Sequence, residues 1–316
     1  MKASIANANE TMHTWPNYTF EAALESSCKV QWRVEDLIGG SKQLDFTKPF
    51  MPESFARVEP LDFLSPKERL VLNQIRGHDY LYIFGLVEEF ILPFVLDHAR
   101  PILRGNDARA RAFISFAGEE AKHMDLFRRF REDFLKSFGS TCDVIGPADA
   151  IADAILSKHP LAVALVILHI EWMTQRHYLD SVVDDGNLDP QFKSLLKHHW
   201  MEEAQHAKLD TLMVHAISDA CTERERTDAI DGYLEIGGMI DSGLMQQVQF
   251  DLESLKRATG RVLNAEDTER FFAVQQQATR WTFLGSGMSH RNFLDTAELV
   301  KPGTRARLEQ IAPMFS

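Results

Sequence analysis

Cysteine is scarce in this chain. Its 316 residues include three, Cys28, Cys142 and Cys221, widely spaced, odd in number and without a Cys-x-x-Cys. That pattern argues against a disulfide framework or a zinc ribbon and fits a reducing compartment. Long apolar runs are missing too: no stretch approaches the roughly 20 residues a membrane span needs, and the first ten residues lack the roughly 7 to 15 residue apolar core of a signal peptide. The expected location is the cytoplasm, with no membrane partner. Positive charge is in deficit. Lys and Arg number 34 against 46 Asp and Glu, a formal net charge of -12, and no basic cluster is present to grip phosphates, so nucleic acid is not an expected partner. Strand-like alternation, internal repeats and low-complexity tracts are also lacking.

What is present is apolar content, 45% of the chain, ample for a large core and set out with helical spacing. The first 18 residues are polar. Apolar spacing from Thr19 to Ile38 predicts a helix stopped by Gly39-Gly40, and Ser41 to Leu64 reads either as an extended strap whose aromatics pack on a core or as plain loop. Ser65-Pro66-Lys-Glu68 is a capping box with proline at the first helical position. It opens a long helix that ends before Pro101. A second runs from Asp107 to Phe138, and a short one precedes Ser157. A third long helix opens at Pro160 and ends near Gly186, and a fourth spans Pro190 to Ala220. Thr222–Thr259 and Ala265–His290 read as two more, with a short one after Pro302. The predicted class is all-α, a four-helix core with added N- and C-terminal helices. Residues 1–64 form a tail, helix and strap, 65–220 the core, and 221–316 helices completing the same domain.

The chemistry is concentrated on this core. His199-Trp-Met-Glu-Glu203-Ala-Gln-His206 sets His199, Glu203 and His206 at i, i+4 and i+7, one side of a helix at about 100° per residue. Glu120-Ala-Lys-His123 repeats the Glu-x-x-His half on the second helix. A lone Glu-x-x-His is cheap, since 23 glutamates and 12 histidines in this length supply roughly one by chance. Glu10-Thr-Met-His13, in the polar tail, is assigned to chance. The other two lie in long helices, each preceded by a helix with a carboxylate at mid-length in an apolar run: Glu89 of the Glu88-Glu89 pair, and Glu171. Glu89 is chosen because the second glutamate of each Glu-Glu pair carries the later motifs. Glu, Glu-x-x-His, Glu, Glu-x-x-His on four successive helices is the ligand order of ferritin-like dimetal bundles. Ionised carboxylates in a helical core are costly unless paired or bound to metal, and carboxylate with imidazole suits iron or manganese. The expected ligands are Glu89, Glu120, His123, Glu171, Glu203 and His206, with His199 as a seventh or as a helix-face histidine of no such role. Glu120 and Glu203 are best placed to bridge. Glu202 and Glu119 are each expected to support a histidine N–H or to be exposed, with exposure preferred for Glu119. His169 and His177 lie off the Glu171 face, and Trp172 is expected to pack in the core.

With His199 included, the ligand pattern resembles that of the p-aminobenzoate N-oxygenase family of ferritin-like di-iron oxygenases. That family shows a Glu, a Glu-x-x-His, a Glu and then His-x-x-x-Glu-x-x-His, and the match covers about Ser65 to Ala220. The resemblance implies two iron ions, with manganese possible, an enzyme that uses O2 and an external electron donor, and N-oxygenation of an aromatic amine as the small-molecule substrate. Ribonucleotide reductase small subunits look similar in ligand order but place a tyrosine where this chain has Phe127. Ferritins are about half this length. A hydroxylase or desaturase on an apolar substrate, a non-catalytic iron-binding bundle and a helical scaffold with partly surface-exposed motifs are the alternatives. A homodimer through the outer helices is the expected assembly.

Overall fold

A computed structural model describes residues 18–104 and 107–315. The polar tail and its Glu10–His13 motif lie outside the described residues, apart from Tyr18. Among the described residues the fold is all-α, and the single β-type pairing is an isolated bridge between Gly39 and Lys42. No helix among them is long and apolar enough to cross a membrane.

Among the described residues twelve α-helices follow one another: α1 (Phe20–Lys29), α2 (Glu53–Ala56), α3 (Pro66–Ala99), α4 (Ala108–Ser137), α5 (Ala148–Leu156), α6 (Pro160–His177), α7 (Pro190–Asp219), α8 (Glu223–Thr259), α9 (Ala265–Arg280), α10 (Ser286–Met288), α11 (Arg291–Val300) and α12 (Thr304–Ile311). Local chemistry sets where the long ones begin. Ser65 Oγ accepts from the Glu68 amide while the Glu68 carboxylate accepts from the Ser65 amide, the reciprocal capping box that starts α3. Asp107 caps α4 by accepting from the Ala110 amide at 2.8 Å, and Asp189 caps α7 by accepting from Phe192 at 2.6 Å. The same Asp189 carboxylate accepts from the Asp45 amide at 3.0 Å, which ties the preceding strap to the start of α7.

Pairs of contacts define the core. Tyr82 lies under Arg131, and the rings of Phe84 and Phe127 are 5.5 Å apart, so numbers fall along α3 as they rise along α4 and the two helices are antiparallel. Gln175 donates to the Trp200 carbonyl at 3.2 Å and Tyr178 stacks on Trp200 at 4.4 Å, placing α6 alongside α7. Contact of α4 with α7 joins the two pairs, and α5 and α8 close over α3 and α6. Four long helices therefore face one interior.

Residues 41–64 run as an irregular segment interrupted by α2. Phe50 and Phe55 are buried, Phe50 stacks on Phe192 at 5.3 Å, and the amides of Phe50 and Met51 both donate to Asn73 Oδ1. The helices depart from expectation at several points, among them α6, which ends at His177 and passes into a π-turn to Val182 rather than running to Gly186. The first helix ends at Lys29 rather than Ile38, because Gln31 turns back to donate to the Ser27 carbonyl at 2.9 Å and Val30 is extended. Trp32 is thereby released to pack on α4. The expected helix 265–290 exists but widens into a π-turn at Trp281–Gly285 before α10. A further helix, α11, caps itself with His290.

Candidate metal centre

Each core helix delivers carboxylate or imidazole to the same interior point. From α7 come His199, Glu203 and His206, three on one face as spacing demands. From α4 come Glu120 and His123, from α6 Glu171, and from α3 Glu88. All seven are at most 2% exposed. His199 Nε2 is 2.7 Å from Glu203 Oε1 and 3.6 Å from Glu88 Oε1. His123 Nδ1 is 3.0 Å from Glu203 Oε1, and His206 Nδ1 is 2.8 Å from Glu120 Oε1 and 2.9 Å from Glu203 Oε2. Two groups of possible metal ligands result, Glu88, His123, His199 and Glu203, and Glu120, His123, Glu203 and His206, each with its atoms within 4.8 Å of one another.

One expected residue falls outside. Glu89 is exposed and lines a surface groove, while its neighbour Glu88 enters the cluster. A step of one residue rotates a helix by about 100°, so only one of the two can point inward, and α3 is rolled to bury Phe84 and Ile91, which share a face with Glu88. The second-of-a-pair pattern of α4 and α7 does not extend to α3.

Around this cluster lies a second set of partners. His123 Nε2 is 2.9 Å from Glu202 Oε2, and His206 Nε2 is 2.7 Å from Glu119 Oε2. Glu119, expected to be exposed, is 7% exposed and also accepts from Gln205 at 2.8 Å and from Ser27. Its burial comes from α1, whose Ser27 packs over it. Both outer carboxylates accept the Nε2 proton, which leaves the lone pair of each ring on Nδ1, aimed inward.

Inward, His206 Nδ1 is hydrogen-bonded to Glu203 Oε2 at 2.9 Å, and most of the other polar atoms lack partners. Glu120 Oε1 and Oε2, Glu88 Oε2, Glu171 Oε2, His123 Nδ1 and His199 Nε2 are buried without a hydrogen bond; the 2.7 Å contact of His199 with Glu203 lacks hydrogen-bond geometry. A lone pair facing carboxylate oxygens needs a cation between them. Without one, burial and the charge of Glu120 push Glu88 well above the carboxylate range, and burial and Glu203 do the same to Glu171. Burial opposes charge on His123 and His206, yet the surrounding glutamates hold both well above the ordinary imidazole value. The cluster must take up protons or metal ions. The donor set fits two metal ions.

Asp210, one turn beyond His206 on the same face of α7, was not anticipated. It is fully buried, neither carboxyl oxygen has a hydrogen-bond partner, and burial pushes its pKa well up. The i+4 spacing from His206 is the sequence signal that could have flagged it. Trp32 stacks on His123 with ring centres 6.1 Å apart, and Lys122 lies 4.0 Å over the indole while pairing with Glu202. His169 and His177 stay outside the cluster: His169 Nδ1 is 2.7 Å from Tyr233 Oη, and His177 Nε2 is 3.0 Å from Ser286 Oγ. Trp172 stacks on His290 at 5.0 Å. Phe127 is buried with its ring 4.9 Å from that of His199.

No family model and no curated protein matches this sequence. Among solved structures, the chain is similar to a variant of an R2-like ligand-binding oxidase with anaerobically reconstituted Mn/Fe cofactor, at 14% identity over 87% of this chain and 94% of that one, with a TM-score of 0.49. A second variant of an R2-like ligand-binding oxidase, with Fe/Fe cofactor, shows 14% identity, 85% and 94% coverage and a TM-score of 0.46. At that identity, and with TM-scores below 0.5, neither residue roles nor activity carry over from these proteins.

Proposed function

We propose that this protein is an O2-dependent dimetal oxidase acting on a small organic molecule. Two iron ions, with manganese able to replace iron, would be held by Glu88, Glu120, His123, Glu171, His199, Glu203 and His206, carboxylate and imidazole donors that suit both metals. The observation that carries this reading is the set of buried inward-facing ligand atoms without hydrogen bonds. Glu203 lies within 3.0 Å of all three histidines and Glu120 within 3.6 Å of two, so these two glutamates are the central carboxylates of the set that would hold the metal. Glu119 and Glu202 fix the tautomers of His206 and His123. Phe84 and Phe127 pack on His199, and Phe116 stacks on His206 at 4.1 Å, so hydrocarbon walls the histidine side of the cluster.

Bound metal supplies the activation of O2. The finer reading is N-oxygenation of an aromatic amine, in which the amine, O2, two electrons and two protons give the hydroxylamine and water. An external donor supplies the electrons. Support for it comes from His199, whose place beside Glu203 completes the three-histidine pattern of the N-oxygenases. An apolar cavity beside the cluster favours a second reading, hydroxylation or desaturation at a C–H bond. Metal content per chain, followed by O2 uptake and product mass spectrometry with amine and hydrocarbon substrates, tests both. O2 uptake without organic product would leave an iron-handling bundle, and absence of stoichiometric metal would leave a helical scaffold.

A further inference from the structure

A cavity of about 340 Å³ lies between α3, α5, α6 and α8 and the π-turn after α9, at the small end of the roughly 300–1,000 Å³ usual for ligand sites. Its inner wall is Phe84, Ile170, Met173 and Phe283, all buried, and its outer wall includes Met239 and Gln246, both exposed, so it opens to solvent on the α8 side. The inner wall meets the metal cluster. Phe84 sits one turn before Glu88 on the same face of α3, and its ring is 5.4 Å from that of His199. Ile170 directly precedes Glu171.

The lining has no charged residue, and Gln246, at the mouth, is its single polar side chain. Asp149 and Asp153, exposed on α5, flank the lining residues Ala150 and Ala154. The groove on the opposite side of α3 does contain arginines, but Arg128 is paired with Asp125 and Glu132, and Arg131 is stacked on Tyr82 and donates to His78. Arg131 lies across α3 from the cavity, and among the described residues no cation lines the cavity itself to meet an anionic substrate.

We propose that this cavity is the substrate site of the dimetal centre and that it takes an uncharged, predominantly hydrocarbon molecule, reached past α5 and α8 and held by shape against Phe84. The proposal rests on the dimetal reading above and narrows its substrate class: a neutral arylamine or hydrocarbon enters, a carboxylate or phosphate does not. Burial of an unpaired charge among these side chains is what excludes the anion.

The test is calorimetric titration of the metal-loaded full chain with para-butylaniline, butylbenzene and para-aminobenzoate, with metal content measured on the same samples. Both neutral probes bind, and para-aminobenzoate binds at least about tenfold more weakly. Ala154→Phe, from the half-buried wall on α5, and Met239→Trp, at the exposed mouth, each fill the cavity and weaken para-butylaniline by about tenfold or more with metal content unchanged; if one variant fails to fold, the other decides. Equal affinity for para-aminobenzoate, no binding of the neutral probes, or unaltered affinity in a folded, filled variant overturns the proposal. Full metal content without neutral-probe binding refutes this inference alone, whereas probe binding by protein that takes up no metal refutes the dimetal reading and leaves an apolar ligand site.

Discussion

His206 hydrogen-bonds through Nε2 to Glu119 at 2.7 Å, and its other ring nitrogen stands 2.8 Å from Glu120. The outer bond decides which nitrogen faces the cluster, and Glu202 does the same for His123. Glu119→Gln and Glu202→Gln remove the charge that holds each ring and offer a donor in its place. Metal affinity is expected to fall about 10- to 100-fold in either variant, read by competition with a chelator. Affinity equal to that of the native protein would show that the outer carboxylates do not orient the rings.

Glu88 and Glu89 offer the sharpest contrast. Glu88→Ala removes an inward carboxylate, and bound metal is expected to fall from about two ions per chain towards one. Glu89→Ala alters an exposed side chain and should leave metal content unchanged and stability within about 0.5 kcal/mol. Elemental analysis and thermal melts of the two proteins check this. Metal loss in the Glu89 variant alone would reverse the assignment.

Partly or fully buried histidines make the protein sensitive to acid: burial holds His169 and His290 down at about 4, and two others lie lower still. Burial, with the nearby arginine charge, pushes His78 down to about 3, and burial does the same to His177. Each is neutral in the fold, whereas in the unfolded chain it binds a proton near 6.5. Their contribution is complete above that value and is lost as pH falls from 6.5 towards 3. The slope is about 1.4 kcal/mol per pH unit for each, or about 2.7 for the pair. Urea denaturation of the metal-loaded protein at about pH 7 and about pH 5 should show this loss, and a stability that does not change between them would refute it.

Gly287 leaves no room for a side chain. A Cβ there would lie 2.4 Å from the His169 ring and 2.8 Å from its carbonyl oxygen. Since His169 is held by Tyr233, the ring cannot simply turn away. Gly287→Ala is expected to cost about 1–3 kcal/mol, measured by denaturant unfolding. A neutral result would mean that α10 moves freely off α6.

Much of this molecule follows from local rules. Ser65, Asp107 and Thr222 cap helices because their side chains reach amides three residues on, a relation written within a few positions of sequence. His199, Glu203 and His206 share a face because a helix has a fixed turn. What local rules do not contain is the roll of one helix against its neighbours. Glu88 rather than Glu89 enters the cluster because α3 buries Phe84 against α4 and α7, and adjacent helical residues point about 100° apart. Glu119 is buried because Ser27, 92 residues earlier, packs over it. Asp210 and the cavity behind Phe84 are likewise products of packing between helices distant in sequence. Order, caps and facing of ligands along each helix were set by the sequence itself; which glutamate turned inward, what supports the histidines and where a substrate fits were decided by how the helices close on one another.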